Sequence, residues 1–219
     1  MDRRRYKWFY DHVQCRYYDL LLKWCFLPLG GERNVRRALI DQVDWRPSDT
    51  ILDMCCGTGN ATFAIAEAVQ AASQIKGIDL SMGQINAARR KNRFPNVGFE
   101  VMDASDTSFP DQSFDKVVIP HALHEMPRPG RLAVLKEARR ILRTGGTVVV
   151  LEIDRPPSLV WRLILGLWWF YWLPFNIETA TRRDMLKQGV ARELSEAGFR
   201  DVSKASRCNG TLQVATGRK

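Results

Sequence analysis

The sequence predicts an α/β fold: a doubly wound, seven-stranded, mostly parallel sheet ending in a C-terminal antiparallel hairpin. Three observations carry that expectation. Five short apolar runs between residues 50 and 153 alternate with helical patterns, as in a parallel sheet covered on both faces. A glycine-rich turn, Cys55-Cys56-Gly57-Thr58-Gly59, follows the first run directly. The last two strand-like runs are joined through Asn209-Gly210, a pair that favours a hairpin turn.

Taken in order, residues 6–28 are rich in aromatics with interspersed charges and read as one or two helices. Residues 31–43 read as an amphipathic helix, so residues 1–45 are expected to form a helical cap on a main domain of residues 46–219. The strands are TILDM, QIKGIDL, VGFEVM, FDKVVIP and TVVVLEI. The helices between them are expected at Ala61–Ala71, Ser81–Lys91 and Arg131–Leu142, with a polar loop over Asp103–Ser113. An insert over residues 155–187 contains the most apolar stretch of the chain, Ser158–Phe175. A helix at Arg183–Gly198 and the strands FRDVSKAS and TLQVATG complete the pattern.

The 219 residues, 45% hydrophobic and 26% charged, are enough for one well-buried domain. A net charge of +9 suits nucleic acid or an anionic membrane surface and does not choose between them. Five cysteines without CxxC spacing, and no histidine beside Cys55-Cys56, argue against a metal site and for free thiols in a reducing compartment. The first residues lack the apolar core of a signal peptide, so a cytoplasmic protein is expected, with peripheral contact at the inner face of a membrane as an extension of that reading.

The turn after the first strand decides the ligand. Gly57 and Gly59 let backbone approach a ligand closely, and the helix N-terminus behind them attracts negative charge. The stretch GTGNAT fails the dinucleotide fingerprint at its third position, and the GK[ST] of a phosphate loop is missing. Asp53 would repel a pyrophosphate but welcome an ammonium group. Asp79 ends the second strand where an acidic side chain grips ribose hydroxyls. Asp103 ends the third strand within reach of an adenine edge, and Leu80 and Met82 are placed to flank the ring. This inventory fits S-adenosylmethionine better than NAD.

The stretches DMCCGTGN, GIDLS, MDA, FPDQSFDKVV and LRTGG-TVVVLE resemble the class I S-adenosylmethionine-dependent methyltransferases, whose fold is Rossmann-like. Within that class the likeness is greatest to the ubiquinone/menaquinone-biosynthesis C-methyltransferases. It covers roughly residues 17–217. The resemblance implies cofactor contacts from Asp53, Cys55, Gly57, Thr58, Gly59, Asp79, Leu80, Met82, Asp103 and Ala104. It also implies that Cys55 and Cys56 are small packing residues of the turn, and that no metal takes part. Tyr18-Asp19 matches a Tyr-Asp near the family's N-terminus, where the tyrosine faces the substrate; packing of a cap helix is the competing role for Tyr18.

Methylation of a quinol carbon needs a base to take a hydroxyl proton, at the end of the fourth strand. There the chain reads Pro120-His121-Ala122-Leu123-His124-Glu125-Met126-Pro127, with two of its three histidines. Against the family's GLRNVP, His124 stands for Arg and Glu125 for Asn. His124, Glu125 and His121 are the candidate catalytic residues. The competing roles are a strand-end packing residue for His121, a helix cap for Glu125 and a pocket lining for His124.

The apolar insert carries Trp161, Trp168, Trp169 and Trp172 with Arg162 among them, stops at Pro174 and is short for a bilayer span. It reads as a lid over an apolar substrate that touches a membrane, a buried helix being the alternative. Trp8, Trp24 and Arg3-Arg4-Arg5 would share that surface. The expected partner is a lipophilic small molecule, a quinol first and a phospholipid headgroup amine or another small acceptor second. Self-association is left open. No basic stripe is concentrated beside the site and no NPPY-type motif follows the fourth strand, so nucleic acid is not an expected partner.

Overall fold

The computed structural model describes residues 11, 15–69, 73–170 and 179–219, without the side chains of Cys15, Arg16, Tyr18, Leu21, Trp168, Trp169, Phe170 and Thr179. Seven strands form one sheet: β1 (Thr50–Met54), β2 (Gln74–Asp79), β3 (Val97–Val101), β4 (Phe114–Pro120), β5 (Leu142–Ile153), β6 (Arg200–Arg207) and β7 (Leu212–Arg218). Their order is β3-β2-β1-β4-β5-β7-β6, parallel except for β7, which runs antiparallel to both neighbours. The chain reverses its direction of winding between β1 and β4. In such sheets ligands bind at the carboxyl ends of the strands beside that point.

The described helices are α1 (Cys15–Phe26), α2 (Gly31–Ile40), α3 (Asn60–Ala68), α4 (Met82–Lys91), α5 (Arg128–Ile141), α6 (Leu159–Phe170), α7 (Thr179–Gln188) and α8 (Val190–Glu196). Alternation along the strands splits the core into two layers. Val35, Leu39, Ile65 and Ile85 from α2, α3 and α4 meet Ile51, Val149 and Val214 on one face of the sheet. Leu135, Met185 and Leu194 from α5, α7 and α8 meet Leu52, Val117 and Val150 on the other. The helix α2, expected as part of a cap, thus belongs to the sheet's own core.

The outlines differ from expectation at several helices, and α2 ends at Ile40 instead of residue 43. α5 starts at Arg128 instead of Arg131, because Pro127 at its N-cap and Pro129 in its first turn occupy positions that need no N–H. The expected helix 183–198 is broken at Gly189, whose φ of +83° ends α7 and starts α8. α3 ends at Ala68, and the expected end at Ala71 lies outside the described residues. The hairpin forms as expected, but its connection carries Cys208, Asn209 and Gly210 in succession at positive φ rather than a two-residue turn. A Cβ on Gly210 would stand 2.5 Å from Pro157 Cδ, so the tip of this hairpin fixes the path of the chain into the insert.

Part of the insert is described. α6 exposes Leu159, Val160, Leu163, Ile164 and Leu167, so it is not a buried helix. Trp172, Pro174 and Phe175 lie outside the described residues, as do Trp8 and Arg3-Arg4-Arg5. Among the described residues no helix is long and apolar enough to cross a membrane.

Candidate functional site

The turn after β1 is held in shape by backbone conformation and by one carboxylate. Cys55, Gly57 and Gly59 adopt φ values of +63°, +54° and +82°, which bends the chain from the strand into α3 within five residues. Cys56 N–H donates to Ile78 O at 2.9 Å, which extends the pairing of β1 with β2 into the turn. Asp79 then accepts the N–H of Gly57 through Oδ2 and the N–H of Ser81 through Oδ1, each at 2.9 Å. Its carboxyl therefore joins the turn to the start of α4. Burial raises its pKa against these two hydrogen bonds. Gly77 carries no Cβ for a steric reason: one would stand 2.7 Å from the Phe99 ring and 3.0 Å from Cys56 Sγ.

Leu80 is half-buried and Met82 exposed at the start of α4. Asp103, just past β3, accepts from the N–H and O–H of Ser105 at 3.0 and 2.8 Å, and Ala104 is buried beside it. Burial pushes the Cys55 thiol well above its ordinary pKa, and Asp79, Glu125, Asp53 and Asp103 add to the shift. Cys25, Cys55, Cys56 and Cys208 are free thiols, and no metal-holding group of three or more ligands occurs among the described residues.

Asp53 lies under the turn. Its side chain is 0% exposed and directed towards α3, where Thr62 Oγ1–H donates to Oδ2 at 2.6 Å. Burial raises its pKa to about 7, and the other oxygen, Oδ1, is buried with no hydrogen-bond partner. The reason is the pleat: Asp53 shares a face with Ile51, which looks at α2 and α3, not at the open end of the sheet.

Asp19, named with Tyr18 in the resemblance but given no role there, has three side-chain partners. It accepts from Thr58 Oγ1 at 2.6 Å, Asn60 Nδ2 at 2.9 Å and Lys91 Nζ at 2.7 Å. One carboxylate thus ties α1 to the glycine turn and to the end of α4. Burial raises the Asp19 pKa, but Lys91, Thr58 and Asn60 outweigh it and hold the carboxyl below its usual range. The side chain of Tyr18, its expected substrate-facing neighbour, lies outside the described residues.

The second group lies at the ends of β4 and β5. His121 takes a φ of +52° and donates its N–H to Leu151 O at 2.7 Å. This turns the chain off β4 into the short helical turn Leu123–Glu125. There His124 Nδ1 lies 2.9 Å from Oε2 and 3.2 Å from Oε1 of Glu152, and its backbone N–H donates to Oε1 at 3.2 Å. Glu152 is 0% exposed, near the end of β5. Burial raises its pKa, but His124 reverses the shift and holds it below the usual range. The motif ending in Glu152 was visible in the sequence, but nothing there tied it to His124.

The other two candidates stand differently. Burial lowers the His121 pKa to about 4, and its Nε2 is buried without a hydrogen-bond partner, so at neutral pH this imidazole is uncharged. Its ring lies 5.3 Å from that of Phe26, at the end of α1. α5 has Pro127 as its N-cap and no side-chain cap there, so Glu125 is not the cap of that helix.

A carboxylate at the end of each of β2 and β3, a turn open to close backbone approach and a buried orphan oxygen under that turn fit a nucleoside with a charged amino-acid tail. Fold and site together define a class I S-adenosylmethionine-dependent methyltransferase. Residues 51–146 match the model of a methyltransferase domain. The chain is 30% identical over 198 residues to the demethylmenaquinone methyltransferase of Staphylococcus aureus, covering 84% of this chain and 81% of that one. It is 28% identical over 206 residues to an uncharacterized methyltransferase of Synechocystis, covering 92% and 90%. In fold it is similar to an S-adenosylmethionine-dependent methyltransferase of Aquifex aeolicus, with a TM-score of 0.65, 16% identity and 93% and 97% of the chains covered. It is similar also to a phosphoethanolamine N-methyltransferase of Haemonchus contortus in complex with S-adenosylmethionine, with a TM-score of 0.67, 15% identity and 98% and 60% covered. The chain belongs to the S-adenosylmethionine-dependent methyltransferase family, and S-adenosylmethionine is its cofactor.

Proposed function

We propose that this methyltransferase acts on a lipophilic hydroxyaromatic acceptor, a quinol ring carbon first among the candidates, with His124 as the general base. The observation that carries the reading is the buried Glu152 carboxylate on His124 Nδ1. A carboxylate there fixes the tautomer with the proton on Nδ1, makes Nε2 the basic nitrogen and stabilises the imidazolium once it forms. The 30% identity to a demethylmenaquinone methyltransferase supports the quinol among lipophilic acceptors.

The bound cofactor supplies an electrophilic methyl on a sulfonium. Asp79 would hold the ribose hydroxyls, the backbone of Gly57, Thr58 and Gly59 would cradle the amino-acid tail with Cys55 packed beneath it, and Leu80 and Met82 would flank the adenine. Asp103 and Ala104 would meet the adenine edge, and Asp53 would act on the tail's ammonium from beneath. His124 would take the acceptor's hydroxyl proton, which would raise the electron density at the ring carbon to be methylated. The ring C–H proton would then pass to solvent water and the His124 imidazolium would return its proton to the acceptor oxygen, which restores the aromatic ring and the neutral base. Glu125 and the neutral His121 would line the reacting end, and Tyr18 would complete it from α1.

The test supplies demethylmenaquinol and cofactor with a deuterated methyl group, then locates the label by mass spectrometry. Label on a ring carbon is the expected outcome. Label on oxygen, or transfer only to a phospholipid amine in a lipid extract, would overturn the quinol assignment.

A further inference from the structure

We propose that the protein docks on an anionic phospholipid bilayer through two outward-facing apolar stripes that flank the acceptor end of the site. The first stripe is on α6, where Leu159, Val160, Leu163, Ile164 and Leu167 recur on one face and are 42% to 68% exposed. A surface helix of a globular protein turns such a stripe inward. Here it points away from the protein, and Arg162 is the helix's single charged residue. The second stripe runs over α1 and the turn after it, through Tyr17, Leu20, Trp24 and Leu27, at the three- and four-residue spacing of one helix face.

Both stripes sit at the carboxyl edge of the sheet. Phe26, between Trp24 and Leu27, lies against His121. α6 follows β5, the strand that carries Glu152, and its approach is pinned by Pro157 against the hairpin tip. A bilayer that takes up these stripes therefore faces the end of the site where His121 and Glu152 lie.

Charge selects the occupant. From Arg155 to Phe170 the chain holds two arginines and no acidic residue. Arg155 and Arg162 are exposed, as is Lys23 on α1, and Arg162 Nε is held by Pro156 O at 2.8 Å beside the stripe. The acidic residue of α1, Asp19, is already paired with Lys91. A second copy of a chain of charge +9 would bring these cations face to face, whereas anionic headgroups neutralise them. The twelve residues of α6 are too few to cross the hydrocarbon core, so the helix lies in the interface.

The test is co-sedimentation with vesicles of phosphatidylcholine alone and of equal parts phosphatidylcholine and phosphatidylglycerol, and it uses no acceptor and no turnover. A failed quinol assignment and failed docking are thereby told apart. Wild-type protein is expected to bind the mixed vesicles at least about tenfold more tightly than the neutral ones, with the difference shrinking in salt. Leu163→Glu with Leu167→Glu should weaken binding about tenfold or more while melting temperature and cofactor affinity hold, since both side chains are exposed. Arg155→Glu with Arg162→Glu should abolish the preference for phosphatidylglycerol. Wild type left in the supernatant with both vesicles, variants that bind as wild type, or a wild-type dimer that the leucine variants dissolve would each overturn the proposal.

Discussion

The two halves of the sheet's carboxyl edge are built from different materials. Around β1 and β2 the site is made of backbone: positive φ angles at Cys55, Gly57 and Gly59, and N–H groups of Gly57 and Ser81 gathered on Asp79. Around β4 and β5 it is made of side chains. His124 and Glu152 meet across 28 residues of sequence, and Phe26 reaches His121 from the N-terminal helices. A backbone-made site tolerates little variation, because changing it changes the turn. A side-chain-made site can exchange its chemistry on an unchanged frame.

The largest effect that would sharpen this contrast is expected at Glu152. Glu152→Gln keeps the shape but removes the charge that stabilises imidazolium, so kcat should fall about 10²- to 10⁴-fold with cofactor affinity nearly intact. A base role predicts that His124→Ala also loses kcat with cofactor affinity nearly intact. Unchanged saturating turnover across pH in both Glu152→Gln and His124→Ala would remove the base role.

At the other end Asp79→Ala should weaken cofactor binding by more than about tenfold in calorimetry while leaving the acceptor end whole, since charge-assisted hydrogen bonds are lost. Cofactor affinity equal to wild type would break the division of labour at its first half.

Asp53 offers a stability test. Its folded-state pKa of about 7 lies above that of an ordinary carboxylate, so the folded protein binds this proton more tightly than the unfolded chain. Its contribution is most favourable below the unfolded pKa and is lost as pH rises through about 7. Asp53→Asn should therefore melt several degrees higher than wild type at about pH 8, with the gain vanishing near about pH 4. Parallel melting profiles for the two proteins would contradict this.

The smallest effect concerns the strained turn. Cys55 holds φ +63°, where a side chain costs energy and a β-branched one costs more. Cys55→Val should lose about 1–2 kcal/mol of stability in denaturant melts, and Cys55→Gly should equal or slightly exceed wild type. Equal losses in both variants would assign the position to packing and not to backbone conformation.

The parallel sheet, its hairpin, the glycine turn and Asp79 were legible in the sequence because each is written locally. Strand alternation has a period of two residues, turns need residues that accept positive φ, and a carboxylate ending β2 follows the turn at a fixed distance. The position of Asp53 was legible but its burial against Thr62 was not, since which side of a pleated strand is covered depends on the helices packed behind it. Gly189 as a break and Pro127 as a start are local signals that a longer helical periodicity masked.

Only the tertiary structure decided the rest. It paired Glu152 with His124, brought Asp19 across α1 to Thr58, Asn60 and Lys91, put α2 into the core and turned the leucines of α6 outward. Sequence periodicity reports the conformation of a segment and which residues share a face. It carries no record of where that face is aimed, because aim is set by packing among elements far apart in the chain, and side-chain pairs form only once that packing is complete.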